Sequence, residues 1–313
     1  MKKNKKNFLV TGGTGFIGSN ICKLLVKKNY NVKVFDNNFR GSTSKIKKIK
    51  NKLEFIKGDI RNKELLNKSF KNIDAVIHLA YVNGTKHFYS KPVLILDIAI
   101  KGIINVIEAC IKNKVKELYL ASSSEVYQTP IKVPTDETES LKIPDIFNPR
   151  YSYGGGKILT ELMGIHYGKK YFKKLVIFRP HNVYGKDMGN EHVVPEFINR
   201  FKSMKGKRFK IQGSGNETRS FIYIDDFLQA FDLILKKGKH LNIYNIGTSE
   251  KIKIKDLAFK LAKIYKKRIL LKKTALAKGG TKTRLPNIKK IKSLGFVKKF
   301  SLDKGLKKIL GYN

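Results

Sequence analysis

The stretch TGGTGFIG at 11–18 constrains the fold more than any other part of the chain. An apolar run, NFLV (7–10), comes before it, and a helical pattern over 16–28 follows. In a strand–turn–helix the three glycines at this spacing meet three needs. Gly12 allows the tight turn, Gly15 lets the backbone approach a pyrophosphate, and Gly18 lets the helix pack close on the sheet. The helix N-terminus then turns free N–H groups and the positive end of its dipole toward the phosphates. The chain is thus expected to open with a dinucleotide-binding β–α unit.

Short apolar runs alternate with helical patterns through the first half: NVKVFD (31–36), LEFIKGD (53–59), IDAVIHLA (73–80), ELYLAS (117–122) and KLVIFRP (174–180). Helices are expected over 93–113 and 152–172. This alternation predicts an α/β fold, a Rossmann-type doubly wound parallel sheet covered on both faces. After 180 the loops lengthen, as in HNVYGKDMGNEHVVP and QGSGNETRS. Helices are expected over 193–204, 253–265 and, last, 287–296. Strands are expected at 241–247 and 268–272, with a strand turning into a helix over 221–235. The expected division is a cofactor domain over 1–180 with a returning segment near 220–246, and a smaller α/β substrate-binding domain mainly over 181–313. A cleft should lie between them.

Asp36 ends the second strand, about twenty residues past the glycines. A carboxylate there accepts hydrogen bonds from ribose hydroxyls and repels a 2′-phosphate, which favours NAD over NADP; Arg40 nearby leaves the other choice open. Asp59 ends the third strand, placed either for the adenine or to cap a loop. Tyr153 and Lys157 in YSYGGGK stand four apart and share a helix face. An ammonium beside a phenol favours the phenolate, and such a tyrosine can take a proton from an alcohol.

The formal net charge is +42, but the chain has 57 Lys against 9 Arg, spread along its whole length. Phosphate-clamping and base-reading surfaces favour clustered Arg. The even lysine excess therefore argues against a nucleic-acid partner, while it would attract anionic small molecules. Cys22 and Cys110 sit in apolar helical stretches, too few for a disulfide framework or a metal site, and fit a reducing cytoplasm. No run reaches the ~18 apolar residues of a membrane helix; VLILDIAI is broken by Asp97. The basic start MKKNKKNFLV lacks the apolar region of a signal peptide and is expected to be a short tail before the first strand.

TGGTGFIG, GDIR, HLA, SSSEVY, YSYGGGK, RPHNVYG, RSFIYIDD and YNIG occur in the order of the extended short-chain dehydrogenase/reductases. Taken together they resemble the NAD-dependent nucleotide-sugar epimerase/dehydratase family over roughly 7–296. The resemblance implies NAD in the first domain, a nucleoside-diphosphate sugar in the second, and oxidation of a sugar hydroxyl, usually at C4, as the first step. Carried over by residue, it implies cofactor contacts from Gly12, Gly15, Phe16, Ile17, Gly18, Asp36, Asp59, Ile60, Leu79, Tyr153 and Lys157. It implies Ser123 as the hydroxyl that bonds the reacting alcohol, Tyr153 as base and Lys157 as its partner. Ser124, Asn182, Arg219 and Arg284 are expected at the substrate, Arg284 near the nucleotide.

Glu125 is similar to the glutamate that removes the C5 proton in sugar 4,6-dehydratases. With Ser124 before it the pattern resembles the GDP-mannose 4,6-dehydratases and the UDP-glucuronate decarboxylases, and TRSF around Arg219 also resembles the decarboxylases. A plain UDP-sugar 4-epimerase stays open, as does an RNA-binding relative or an NADP-dependent reductase on the same fold. Gln128 stands where the family has Gly, and Gly154–Gly156 where it has Gly-x-Ser, which suggests close approach by substrate or cofactor. His181 is either a second acid/base or a loop hydrogen-bonder. The resemblance also implies a homodimer paired through the two long helices.

Overall fold

The apolar runs become strands because each is covered from both sides. β1 (Asn7–Thr11), β2 (Asn31–Asp36), β3 (Glu54–Lys57), β4 (Ala75–His78), β5 (Glu117–Ala121) and β6 (Lys174–Pro180) join a seventh, Asn242–Ile246, in one sheet. The computed structural model describes residues 5–312, so the first four residues of the expected basic tail lie outside it. The strand order is Asn242–Ile246, β6, β5, β4, β1, β2, β3, and every pair is parallel. After β3 the chain crosses back to the other side of β1. Ligand crevices form at such a reversal, at the C-terminal ends of the strands.

The chain past β6 builds three small pairings: Val183–Tyr184 with Ile222–Tyr223, Arg208–Gln212 with Leu270–Thr274, and Thr218–Arg219 between Ile252–Lys253 and Thr283–Arg284. These have no core of their own. Phe227, Leu257 and Leu306 belong to the same buried cluster as Val10, Tyr119 and Phe178 of the large sheet. The smaller region therefore shares one core with the large sheet.

Two expected elements differ. The 93–113 helix is broken into Pro92–Asp97 and Ile103–Lys112 by a wide π turn at Ile98–Gly102. Gly102 packs there on Ile60, and a Cβ would meet its Cδ1 far inside contact distance. The helix expected over 287–296 shrinks to Lys289–Lys292, and the last helix is Leu302–Leu310. Its signals were present in the sequence: Ser301 accepts from Lys304 N as N-cap, and Gly311 closes it at φ +80°.

The long helix Tyr151–Tyr171 carries five glycines, each costing about 1 kcal/mol of helix propensity. Two of them make room for large neighbours. A Cβ on Gly154 would collide with Gln128 Nε2, and one on Gly156 with Tyr81 Oη. Gln128 itself is held at φ +49°. The two departures noted in the sequence therefore fit each other: Gln128 and Tyr81 fill the space above the glycines, which substrate or cofactor was expected to use.

Candidate active site

The ends of β1, β4, β5 and β6 open on a cleft of about 680 Å³, walled on the far side by Arg219, Thr274 and Arg284. A second chamber of about 110 Å³ is lined by Phe35, Asp36, Asp59 and Ile60. Gly12 turns at φ +73°, and its Cα lies so near Ala80 that a Cβ would stand 2.7 Å from the Ala80 nitrogen. Gly18 faces the Gly12 carbonyl with no space for a side chain. Phe16, Ile17 and Leu79 line the same wall. Asp36 accepts from Thr14 N at 2.9 Å and Asn38 N at 2.7 Å, which locks the glycine turn to β2. Each carboxylate oxygen keeps a lone pair for a ribose hydroxyl. A cradle that any Cβ would fill, followed by a buried carboxylate, fits a dinucleotide.

Asp59 is engaged by Arg61, at 3.0 Å from Nε and 2.8 Å from Nη2, so its surroundings favour a loop anchor over an adenine contact. Arg40 turns to Glu191 at 2.7 Å and lines both chambers.

Ser123 caps the short turn Ser124–Val126 and accepts from Glu125 N at 3.1 Å. Tyr153 stacks on Phe88 with centroids 4.7 Å apart. Burial pushes its phenol up to about 12, with the Ser123 hydroxyl pulling the other way. Lys157 Nζ donates to the Ala121 carbonyl at 2.8 Å. Burial lowers its ammonium to about 7, opposed by Glu161 one turn on. The expected lowering of the phenol by Lys157 is absent, because the ammonium is turned to Ala121 and to the ring of Tyr81. The structure thus gathers Ser123, Tyr153 and Lys157 in one cleft, with the charge balance set mainly by burial.

Glu125 is not free. Arg284 grips it in a two-pronged fork, at 2.7 and 2.6 Å, and Arg150 Nη2 stands 3.6 Å away. Burial favours the neutral acid, but the charges of Arg284 and Arg150 and the Arg284 fork outweigh it, so the carboxyl is held below its ordinary range. Arg284 is thus paired with Glu125 in the wall of the cleft. Arg219 adds a third guanidinium, lowered to about 9 by burial and by the Arg284 charge. Asn182, at φ +38°, donates to the Ser220 carbonyl, and Ser124 is buried beside Glu125.

Sequence reasoning missed two members. Arg150 precedes Tyr153 by three residues, a spacing that puts it on the same helix face. Tyr81 follows HLA directly. It also missed the buried pair beneath the site. Arg179 meets Glu161 at 2.8 and 2.6 Å, and Glu161 accepts from Ser122 as well. His181 is buried, bonded to Asn245 and pushed by burial down to about 3, so it is a neutral loop anchor.

The description "NAD dependent epimerase/dehydratase family" matches residues 8–247. The chain belongs to that family. This NAD-dependent epimerase/dehydratase is 33% identical to dTDP-D-glucose 4,6-dehydratase of Dictyostelium discoideum over 83% of its length, and spans 62% of that relative. It is 30% identical to UDP-N-acetyl-alpha-D-glucosaminuronate decarboxylase of Bacillus cytotoxicus, covering 81% of this chain and 78% of the relative. The crystal structure of UDP-glucose 4-epimerase of Thermotoga maritima with UDP-glucose superposes at a TM-score of 0.88, with 29% identity and 98% of both chains covered. The resemblance to extended short-chain dehydrogenase/reductases is thus borne out. The protein is an NAD-dependent enzyme whose relatives epimerise, dehydrate or decarboxylate nucleotide sugars.

Proposed function

We propose that this family member oxidises C4 of a nucleoside-diphosphate hexuronate and then releases its carboxyl carbon. The observation that carries this reading is the guanidinium pair around Glu125: Arg150 and Arg284 against one carboxylate. The excess positive charge suits a second carboxylate, that of the sugar. Bound NAD would supply the hydride acceptor for the C4 hydrogen and the donor for its return. Tyr153 takes the C4 hydroxyl proton, Ser123 holds that hydroxyl, and Lys157 and Asp36 hold cofactor ribose hydroxyls. Arg219 holds the diphosphate, with Asn182 beside it.

A ketone at C4 makes C6 the carboxylate of a β-keto acid. Its C5–C6 bond breaks to CO2, the electron pair moves into the C4 oxygen, and C5 then takes a proton from water, which restores the C4 ketone. That step needs no base, which agrees with a Glu125 kept ionised by two arginines. The alternative chemistry, in which Glu125 removes the C5 proton of a neutral sugar, requires Arg284 to let go first.

The test incubates the enzyme and NAD with UDP-hexuronates and with neutral UDP-, GDP-, dTDP- and CDP-hexoses in D2O, read by NMR and mass spectrometry. Loss of the carboxyl carbon supports the decarboxylase reading. A new C6 methyl with deuterium at C5 replaces it with dehydration, and C4 inversion without mass change replaces it with epimerisation. Glu125→Gln separates the same readings. Decarboxylation should fall less than about tenfold, whereas a general base lost at this position costs 10²–10⁴-fold.

We also propose a cytoplasmic homodimer. Val93, Leu96 and Ile100 are exposed on the segment packed against the long helix, which exposes Leu162, Tyr167 and Tyr171. Leu96→Asp combined with Leu162→Asp should yield a monomer by sedimentation velocity, and an unchanged dimer would place the interface elsewhere. The two cysteines are buried free thiols, in keeping with a reducing compartment.

A further inference from the structure

Tyr81 lies where the two central side chains of the site meet. Lys157 Nζ stands over its ring, 3.9 Å from the centroid, and Tyr153 meets the ring edge to face at 5.2 Å. Its hydroxyl is buried and has no hydrogen-bond partner among the described residues. What it presents to Lys157 is the ring face. The ring fits because position 156 is glycine. A Cβ there would overlap Tyr81 Oη and stand 2.6 Å from Ala99 Cβ.

The charges around Lys157 are few. Glu161 lies one turn along the same helix, already shared with Arg179 and Ser122. His78 on β4 is bonded to Thr11 and kept neutral, pushed down to about 3 by burial and then by Lys157. Tyr153 is a neutral phenol, and Ala121 offers a carbonyl. A buried site with one carboxylate a helical turn away favours loss of the lysine proton. A π face attracts a cation without adding a charge, and does so most strongly when both are desolvated.

We propose that Tyr81 is a positioning residue for the Tyr153–Lys157 couple, holding the Lys157 ammonium on its ring face in a seat that Gly156 leaves open. The inference rests on the reading of that couple as the oxidation machinery. Tyr81 touches neither sugar nor leaving group in this scheme. It acts by keeping the ammonium charged and seated between its ring and the Ala121 carbonyl. The buried ammonium, lowered to about 7, is where such support changes protonation at working pH.

The test titrates Lys157 by ¹⁵N-lysine NMR in the full chain, with Lys157→Met giving the assignment, alongside pH profiles of turnover. Tyr81→Phe keeps the ring and should leave the midpoint unchanged. Tyr81→Leu and Tyr81→Met keep apolar bulk without a π face, and either should lower the midpoint by about one pH unit. The alkaline fall in kcat should move down with it, while KM for the sugar nucleotide stays the same. Gly156→Ala, which expels the ring, should copy that shift, and should add nothing when Tyr81 is already Leu. A Lys157 midpoint that is the same in wild type, Tyr81→Leu and Gly156→Ala overturns the proposal. The titration needs neither sugar nor NAD. A shifted midpoint in variants whose turnover profile does not follow it would instead overturn the oxidation reading of the couple.

Discussion

Tyr153→Phe should fold like the parent and turn over 10²–10⁴-fold more slowly, with NAD affinity nearly kept. Tyr153 is buried between Phe88 and Tyr81, and both ring contacts survive loss of the hydroxyl. Tyr153 is 5% exposed, and loss of its hydroxyl removes one hydrogen bond to Ser123, a cost of about 0.5–1.5 kcal/mol. What goes is the acceptor for the C4 hydroxyl proton, and general-base losses are of this size. Turnover with the best sugar nucleotide, NAD binding by fluorescence and the melting temperature together check it. A variant within threefold of the parent would remove Tyr153 from the chemistry and leave Ser123 or a water as the acceptor.

Glu161→Ala is expected to be the most destabilising single change at the site. Arg179 is only 2% exposed, and its fork to Glu161 is its main neutralising contact. Breaking a buried pair by removing one partner costs about 3–5 kcal/mol, since it leaves an uncompensated charge. For a chain of this size that lowers the melting temperature by about 5–10 °C. The same change deprives Ser122 of its acceptor and Lys157 of its one facing carboxylate. Lys157 should then lose its proton at lower pH, so the alkaline limb of activity moves down. Differential scanning calorimetry and the pH profile read the two effects separately. Glu161→Gln should soften the first, because an amide still bonds Arg179, and keep the second, because it carries no charge.

Local patterns made much of the molecule legible. The glycine turn, Asp36 at the end of β2 and the four-residue spacing of Tyr153 and Lys157 are each short-range, and each appears where the sequence puts it. Glu125 could be singled out, but its partner could not. Arg284 lies 159 residues away, and no spacing rule joins them. The same holds for Tyr81 and Gly156, which meet across two elements. The oddities of the sequence, Gln128 and the glycine run, were visible as departures. Only their packing shows that each large residue answers one small one. Arg150 and the Ser301-to-Gly311 helix were readable and went unread, the first through its spacing from Tyr153, the second through its caps.

The strand Asn242–Ile246 pairs with β6, which ends at Pro180, although some sixty residues of the smaller region come between them. On a ribosome making 5–20 residues per second, β6 waits about 3–12 s for that partner. During this interval the run LVIF offers a bare, apolar edge, the kind of surface that recruits other chains. Birth of the protein thus carries a hazard that the finished sheet no longer shows. Slow decoding between 181 and 241 would prolong it, and a chaperone that grips extended apolar segments would find its target there.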